Sequence, residues 1–306
     1  MAQSRLVSID TRRIQTVARL LAMREVPVPE WNYEYHFFDR TERSVMYVFL
    51  LDALNFSFWG EPRWRIRYGD AELDGYWALA AALKRAALES PQILEADHLA
   101  VISPAELARA LRGKGEVPLF VERWRNAQEL GRVLRDRFDG SAVRMVEAAD
   151  YDAPVLARHL SENLASFHDA SIYGGHEVRF FKRAQILAAD LWGSFGGEGF
   201  GALRNLGELT CFADYKLPQI LRSWGILKYA PALARRVDRK ELLDKDGLAE
   251  IEIRSSTVWG VELLRDRLAR LGRVLTSLQM DWFLWESSQH LDSKVKPYHR
   301  VRTVYY

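Results

Sequence analysis

Residues 42–56, ERSVMYVFLLDALNF, are apolar nearly all round the circumference of a helix. A helix without a polar face has to be covered on every side, so the rest of the chain must supply a shell around it. The periodicity elsewhere supplies helices for that shell. Residues 9–24 read as an amphipathic helix with Ile14, Val17, Leu20 and Leu21 on one face. Further helices are expected at 72–89, 103–112 and 118–138, from Asp152 and Pro154 to Phe167, and from Glu177 to Trp192. The 103–112 helix opens on Ser103 as N-cap, with Pro104 in the first turn and Glu106 three residues on. After the Gly-rich stretch 193–201 the pattern gives helices near 203–212, 217–224, 228–237, 257–272 and 278–290. Strand signals are confined to EIEIR (250–254) and HRVRTVYY (299–306), both short alternations. No repeat of constant period and no low-complexity linker divides the chain. The expected fold is therefore mainly α with minor β, a single compact helical domain over 1–306, with any division into two lobes falling near residue 150.

Composition narrows the function. Lys and Arg number 43 against 41 Asp and Glu, a net charge of +2, where a protein that holds a long nucleic acid carries a basic excess or stripe. Most arginines alternate with acids, as in ELLRDRLARLGR (262–273), the pattern of a solvated helix face. No stable nucleic-acid partner is expected, and small-molecule chemistry fits better. The single Cys211 excludes an intramolecular disulfide and a cysteine-rich metal site. Histidines show no HxxxH or HxH spacing, so a zinc site is not expected. No stretch approaches a membrane span and the first residues lack an apolar signal core, which points to the cytosol and away from membranes. Ten Trp, twelve Tyr and fourteen Phe suit either a large core or a stacking pocket for a planar ligand.

Chemistry is easiest to suspect where polar groups interrupt apolar segments, because burying them costs free energy unless they are paired or used. Three places stand out. In LLDALNFSFW (50–59), helical spacing puts Asp52, Asn55 and Trp59 on one otherwise apolar face. They either read the edge of a flat heterocycle while an aromatic ring stacks on it, or bond a neighbouring helix end. In HEVRFFKRAQILAADLW (176–192), Phe180, Ala184, Leu187 and Leu191 form the core stripe. Lys182, Arg183, Gln185 and Asp190 then make either an ion-paired surface or an anion clamp. In GELTCFADYKLPQILRSWG (207–225), two helices flank Asp214, Tyr215 and Lys216 in a helix–hairpin–helix outline. Asp214 either caps the second helix or stabilises a cationic transition state. His36, inside WNYEYHFFD (31–39), reads either as a core histidine or as a ligand group.

Three of these passages, LDALNFSFW (51–59), FKRAQILAADLW (181–192) and FADYKLPQ (212–219), resemble motifs of the queuosine salvage family of N-glycosylases. EIEIRSSTVWGVELLRD (250–266), DWFLW (281–285) and PYHRVRTVYY (297–306) match in the same order and spacing, from about residue 30 to the C-terminus. The resemblance implies a helical relative of the helix–hairpin–helix DNA glycosylases that acts on a free nucleotide. It implies hydrolysis of queuosine 5′-monophosphate to queuine and ribose 5-phosphate, with no metal or organic cofactor. Carried over residue by residue, it makes Asp214 the catalytic carboxylate and assigns Asp52 and Asn55, with Phe56 or Trp59 stacking, to the base. Lys182, Tyr215 and His36 would hold the phosphate and ribose. Arg183, Asp190, Glu252 and Asp281 would stand behind them, either touching the substrate or bracing the helices. Two competing readings stay open: a base-excision glycosylase on DNA or RNA, and a non-catalytic factor that binds queuosine or tRNA.

Overall fold

The computed structural model of this chain describes residues 4–292 and 294–306. Strand β1 (Val7–Ile9) leads into α1 (Thr11–Ala22), whose N-cap Asp10 accepts from the backbone of Arg12 and Arg13. The apolar segment forms α2 (Glu42–Ala53), capped by Thr41 and buried at every position from Ser44 to Ala53. An antiparallel hairpin of β2 (Arg65–Tyr68) and β3 (Ala71–Asp74) follows. Next come α3 (Gly75–Glu89), α4 (Ala96–Val101), α5 (Pro104–Ala110), α6 (Phe120–Arg137), α7 (Ala142–Ala148) and α8 (Ala153–Asn163). Ser103 opens α5 through a capping box with Glu106, as its sequence predicts. A second hairpin, β4 (Ala170–Tyr173) with β5 (His176–Arg179), precedes α9 (Lys182–Ser194). The order ends with α10 (Lys216–Ser223), β6 (Leu227–Tyr229), α11 (Pro231–Asp238), β7 (Leu242–Leu243), α12 (Leu248–Ala269), α13 (Ser277–Gln289) and β8 (Arg300–Val301). Among the described residues no helix is long and apolar enough to cross a membrane.

The mainly helical reading holds, and the departures have local causes. Helix α2 stops at Ala53, so Asn55 and Trp59 do not share a helical face with Asp52. Residues 176–179 pair as a strand, and Phe181, at φ 46°, breaks the backbone before α9 starts at Lys182. The helix expected at 203–212 is a single 3-10 turn at Leu206–Glu208, leaving α10 as the one regular helix of the helix–hairpin–helix outline. EIEIR belongs to α12. Its alternation misleads because Glu250, Ile251, Glu252, Ile253 and Arg254 are all buried, the polar ones with partners of their own. Of HRVRTVYY only Arg300 and Val301 pair, in parallel with β7.

The chain divides into two compact units, each assembled from separated stretches. Unit 1 holds the chain up to Pro29, Ala170–Lys182 and Leu206–Thr303; unit 2 holds Glu30–Asp169, Arg183–Asn205 and Val304–Tyr306. Residue 150 lies inside unit 2. In unit 1, α12 packs against α1, α10 and α13, and β1 pairs with β6. Glu252 of α12 fastens β1 to this group. Its carboxylate accepts from Ser4 Oγ (2.6 Å), from the amides of Arg5 (3.0 Å), Leu6 (2.6 Å) and Val7 (3.1 Å), and from the Tyr173 hydroxyl (3.0 Å). In unit 2, α2 packs against α3, α6 and α7, while α4 lies on α6. That last contact needs a glycine, since a Cβ on Gly131 would sit 2.2 Å from the Ala100 nitrogen.

Gly131→Ala should therefore destabilise the protein by about 1–3 kcal/mol through overpacking, read as a lower midpoint in thermal unfolding. An unchanged midpoint would show that α4 and α6 can separate freely. Burial alone would raise the Glu252 pKa, but the bonds from Ser4, the Arg5 and Leu6 amides and Tyr173 bring it below its ordinary value. Its stabilisation is thus full above the ordinary glutamate value of 4.5 and is lost as pH falls through the lower folded value. Glu252→Gln should cost about 2 kcal/mol near pH 7, with the gap to the unmutated chain narrowing in acid when urea unfolding is followed against pH. A gap that does not change with pH would exclude the ionised carboxylate as its source.

Candidate active site

The segment 209–215 of unit 1 is irregular, so its peptide groups have no helix or sheet to pair with, and buried side chains take their place. The Phe212 amide donates to Asp281 Oδ1 of α13 at 2.7 Å. The Ala213 carbonyl accepts from Arg254 Nε of α12 at 2.9 Å. Arg254 is 1% exposed and its guanidinium stacks over Phe180 at 4.0 Å, with Glu250 3.9 Å away. The next residue is Asp214, 6% exposed, whose Oδ1 accepts from the amides of Lys216 (2.7 Å) and Leu217 (2.9 Å). Asp214 does cap α10, therefore, and the cap uses one of its two oxygens. A negative charge is also favoured at that helix N-terminus.

Two further groups act on this carboxylate region. Asp281 is 4% exposed, and burial in the first place, then the nearby charge of Asp214, push its pKa well above the ordinary range. The Phe212 amide and Lys182 oppose that rise without cancelling it. Lys182, the first residue of α9, is buried as well. Tyr215 is half-buried, with its ring 4.9 Å from that of Tyr298. Cys211 is a buried thiol, as its apolar setting in sequence suggests.

Unit 2 holds the other group of expected site residues. Asp52 is fully buried and Asn55 is 7% exposed; the Asn55 amide donates to Asp52 Oδ1 at 3.1 Å. The end of α2 explains their placement. Arg183 donates to the carbonyls of Asp52 and Ala53, both at 2.7 Å, and to that of Ser166, while Asn126 donates to Ala53 at 3.1 Å. Arg123 donates to the Phe56 carbonyl. The guanidinium groups of Arg123 and Arg183 lie 4.4 and 5.1 Å from the centre of the Phe56 ring. Ser57, with φ 43°, donates its amide to the Tyr306 carbonyl at 2.9 Å. Arg183 is thus neither a surface ion pair nor an anion clamp. It is a buried cap on α2, its pKa lowered by burial to about 10 against the attraction of Asp52, and it stays charged at neutral pH.

His36 is buried and its two ring nitrogens are engaged. Nδ1 meets the Asn32 carbonyl at 2.7 Å, and Nε2 meets the Tyr76 hydroxyl at 2.9 Å. Tyr76 in turn donates to Asp190 Oδ2 at 3.4 Å, so the two sequence candidates His36 and Asp190 join through a tyrosine. Trp31 stacks on the His36 ring at 4.0 Å. Burial holds the His36 pKa down, to about 4, so the ring is neutral at pH 7. Trp59 is half-buried. Among the described residues no group of three or more His, Cys, Asp or Glu is gathered to hold a metal ion.

Sequence reasoning missed Arg123, Arg254 and Tyr76. Arg254 carried one signal, an arginine at the end of the short EIEIR alternation; Arg123 stands between Glu122 and Arg125 in a charged stretch and carried none. The structure brings Lys182, Asp214, Tyr215 and Asp281 into unit 1, together with Glu252, which serves the N-terminal strand. It brings Asp52, Asn55, Phe56, Trp59, His36, Arg183 and Asp190 into unit 2.

A family model described as queuosine salvage protein matches residues 35–306. A protein of Sphaerobacter thermophilus is 47% identical over 304 residues, covering 99% of this chain and 94% of its own length. A mouse protein is 36% identical over 321 residues, at 99% and 95% coverage, and a Schizosaccharomyces pombe protein is 31% identical over 307 residues, at 90% and 87%. All three carry the name queuosine 5′-phosphate N-glycosylase/hydrolase. The resemblance in the motifs extends over nearly the whole chain, and the protein belongs to the queuosine salvage protein family.

Proposed function

We propose that this protein hydrolyses the N-glycosidic bond of queuosine 5′-phosphate, releasing queuine and ribose 5-phosphate. The names of its relatives support the substrate, and Asp214 is the observation that carries the chemistry. Breaking a ribosyl C–N bond builds positive charge on the sugar. A fixed carboxylate in a poorly solvated setting stabilises that charge without reorganising as the reaction proceeds. Asp214 meets both requirements, since it is buried and one of its oxygens is fixed by two amides of α10.

The steps balance without any outside reagent. The bonding pair of the C–N bond leaves with the base, water adds its oxygen to the ribosyl carbon, and Asp214 accepts a proton of that water. That proton passes on to the freed ring nitrogen, so that queuine leaves neutral and the carboxylate is restored. Queuine is a 7-deazapurine, so the nitrogen that purine glycosylases protonate is replaced by carbon. Its departure has to be helped at the rest of the base edge, a role we assign to Asp52 and Asn55. Stacking falls to Trp59 rather than Phe56, whose ring already lies under two guanidinium groups. Lys182 and Tyr215 are assigned to the phosphate and ribose, where remote binding energy positions the sugar. His36 fits such a role only by its ring face, or by giving up its bond to Tyr76.

Asp214→Asn should fold and lose nearly all release of queuine, on the order of 10³-fold, followed chromatographically with queuosine 5′-monophosphate and no added metal. Substantial turnover in that variant would exclude Asp214 as the central carboxylate. Saturable binding without release by the unmutated chain would favour a binding factor instead. Lys182→Ala should weaken queuosine 5′-monophosphate by about 10-fold or more and the unphosphorylated nucleoside far less, as measured by calorimetry. Equal losses on both ligands would make Lys182 a structural residue.

A further inference from the structure

We propose that the arm Val304–Tyr306 is a positioning element for the segment 54–58, where the Tyr306 main-chain oxygen holds Ser57 in left-handed backbone and so sets Asn55 beside Asp52. The inference rests on the hydrolase reading above, in which those two residues act on the base. Its evidence begins with the way this stretch is pinned. Past Ala53 the chain leaves α2, and buried side chains meet its peptide groups. Arg183 of α9 takes the carbonyls of Asp52 and Ala53, and Asn126 and Arg123 of α6 take those of Ala53 and Phe56. All of these are donors serving carbonyls. Ser57 presents an N–H and an O–H instead, and both donate to the Tyr306 main-chain oxygen, at 2.9 and 3.3 Å.

The arm is anchored where it makes this contact. Val304–Tyr306 belongs to unit 2 while the chain up to Thr303 belongs to unit 1, so the chain changes unit for these three residues. Tyr306 is 1% exposed and ranks among the largest fully buried side chains, which fixes the oxygen beside it. Ser57 in turn has φ 43°, a region that residues other than glycine enter at a cost. A serine there has to be held, and two bonds to one anchored acceptor are that hold. Two residues earlier stands Asn55, whose amide donates to Asp52 Oδ1 at 3.1 Å. Relaxing Ser57 to negative φ would redirect the chain on either side of it, and Asn55 would leave its place beside Asp52.

The test is a deletion read in two backgrounds, with queuosine 5′-monophosphate as substrate. Removing Tyr306 should lower kcat about 100-fold, the effect of a misplacement of roughly 1 Å, while KM changes by less than about threefold. Made in a Ser57→Gly background, the same removal should cost about 10-fold less, because glycine adopts this backbone without being held. Amide exchange followed by mass spectrometry supplies a readout that does not need turnover. On removal of Tyr306 it should speed up at residues 54–58 and stay as it was in α3 and α7. Should the shortened chain fail to fold, Tyr306→Leu, which loosens the buried anchor and keeps the main-chain oxygen, takes the place of the deletion in both backgrounds. An unaltered kcat, an equal loss in both backgrounds, a KM rising while kcat holds, or exchange that speeds up throughout unit 2 would each overturn the inference. Absence of queuine release by the unmutated chain would overturn the hydrolase reading itself, and is seen before any variant is compared.

Discussion

Irregular backbone cannot be buried unless something meets its peptide groups, and this protein meets them with polar side chains, most of them arginine or aspartate. The two segments that carry the expected site residues, 54–58 and 209–215, leave helix geometry inside their own unit's core. Arg123, Arg183 and Asn126 serve the first, and Arg254, Asp281 and the α10 cap serve the second. A buried arginine is expensive to desolvate and is retained where several carbonyls converge on it. Arg183, with three carbonyl partners from two stretches of chain, is such a case.

The buried carboxylates divide by what meets them. Glu252 faces three backbone amides and two hydroxyls, and its ionised form is the stable one. Asp281 has a single amide to set against its burial and a carboxylate neighbour, and its pKa is pushed up. Asp214 gives one oxygen to a helix end. Environments that shift buried carboxyls in opposite directions, as for Glu252 and Asp281, give one residue type two behaviours.

Much of this was legible in the sequence. The all-round apolar α2 announced a helical core, Ser103 and Glu106 announced a capping box, and the FADY passage announced an acid at a helix start. The errors share a physical cause. Period and spacing describe faces, and faces lose meaning where a segment is buried all round, as in 250–254, or where distant side chains end a helix, as Arg183 and Asn126 do beyond Asp52. The partnership of Ala213 with Arg254 spans 41 residues and has no local signature. Tyr76 was silent for the same reason, since its meaning comes from His36 and Asp190 and not from its neighbours in sequence.

The bond set of Glu252 also bears on where this chain can be cut. The family match starts at residue 35, which invites trimming everything before it as dispensable. Yet Ser4 to Val7 supply four of the donors to that carboxylate, and β1 fills one edge of a two-stranded sheet against β6. A chain shortened to the matched region would carry a buried anion stripped of its amides and a strand edge open to other chains. Such a fragment would be prone to aggregate for reasons that have nothing to do with its active site, and the loss of activity would be easily mistaken for a catalytic role of the leader.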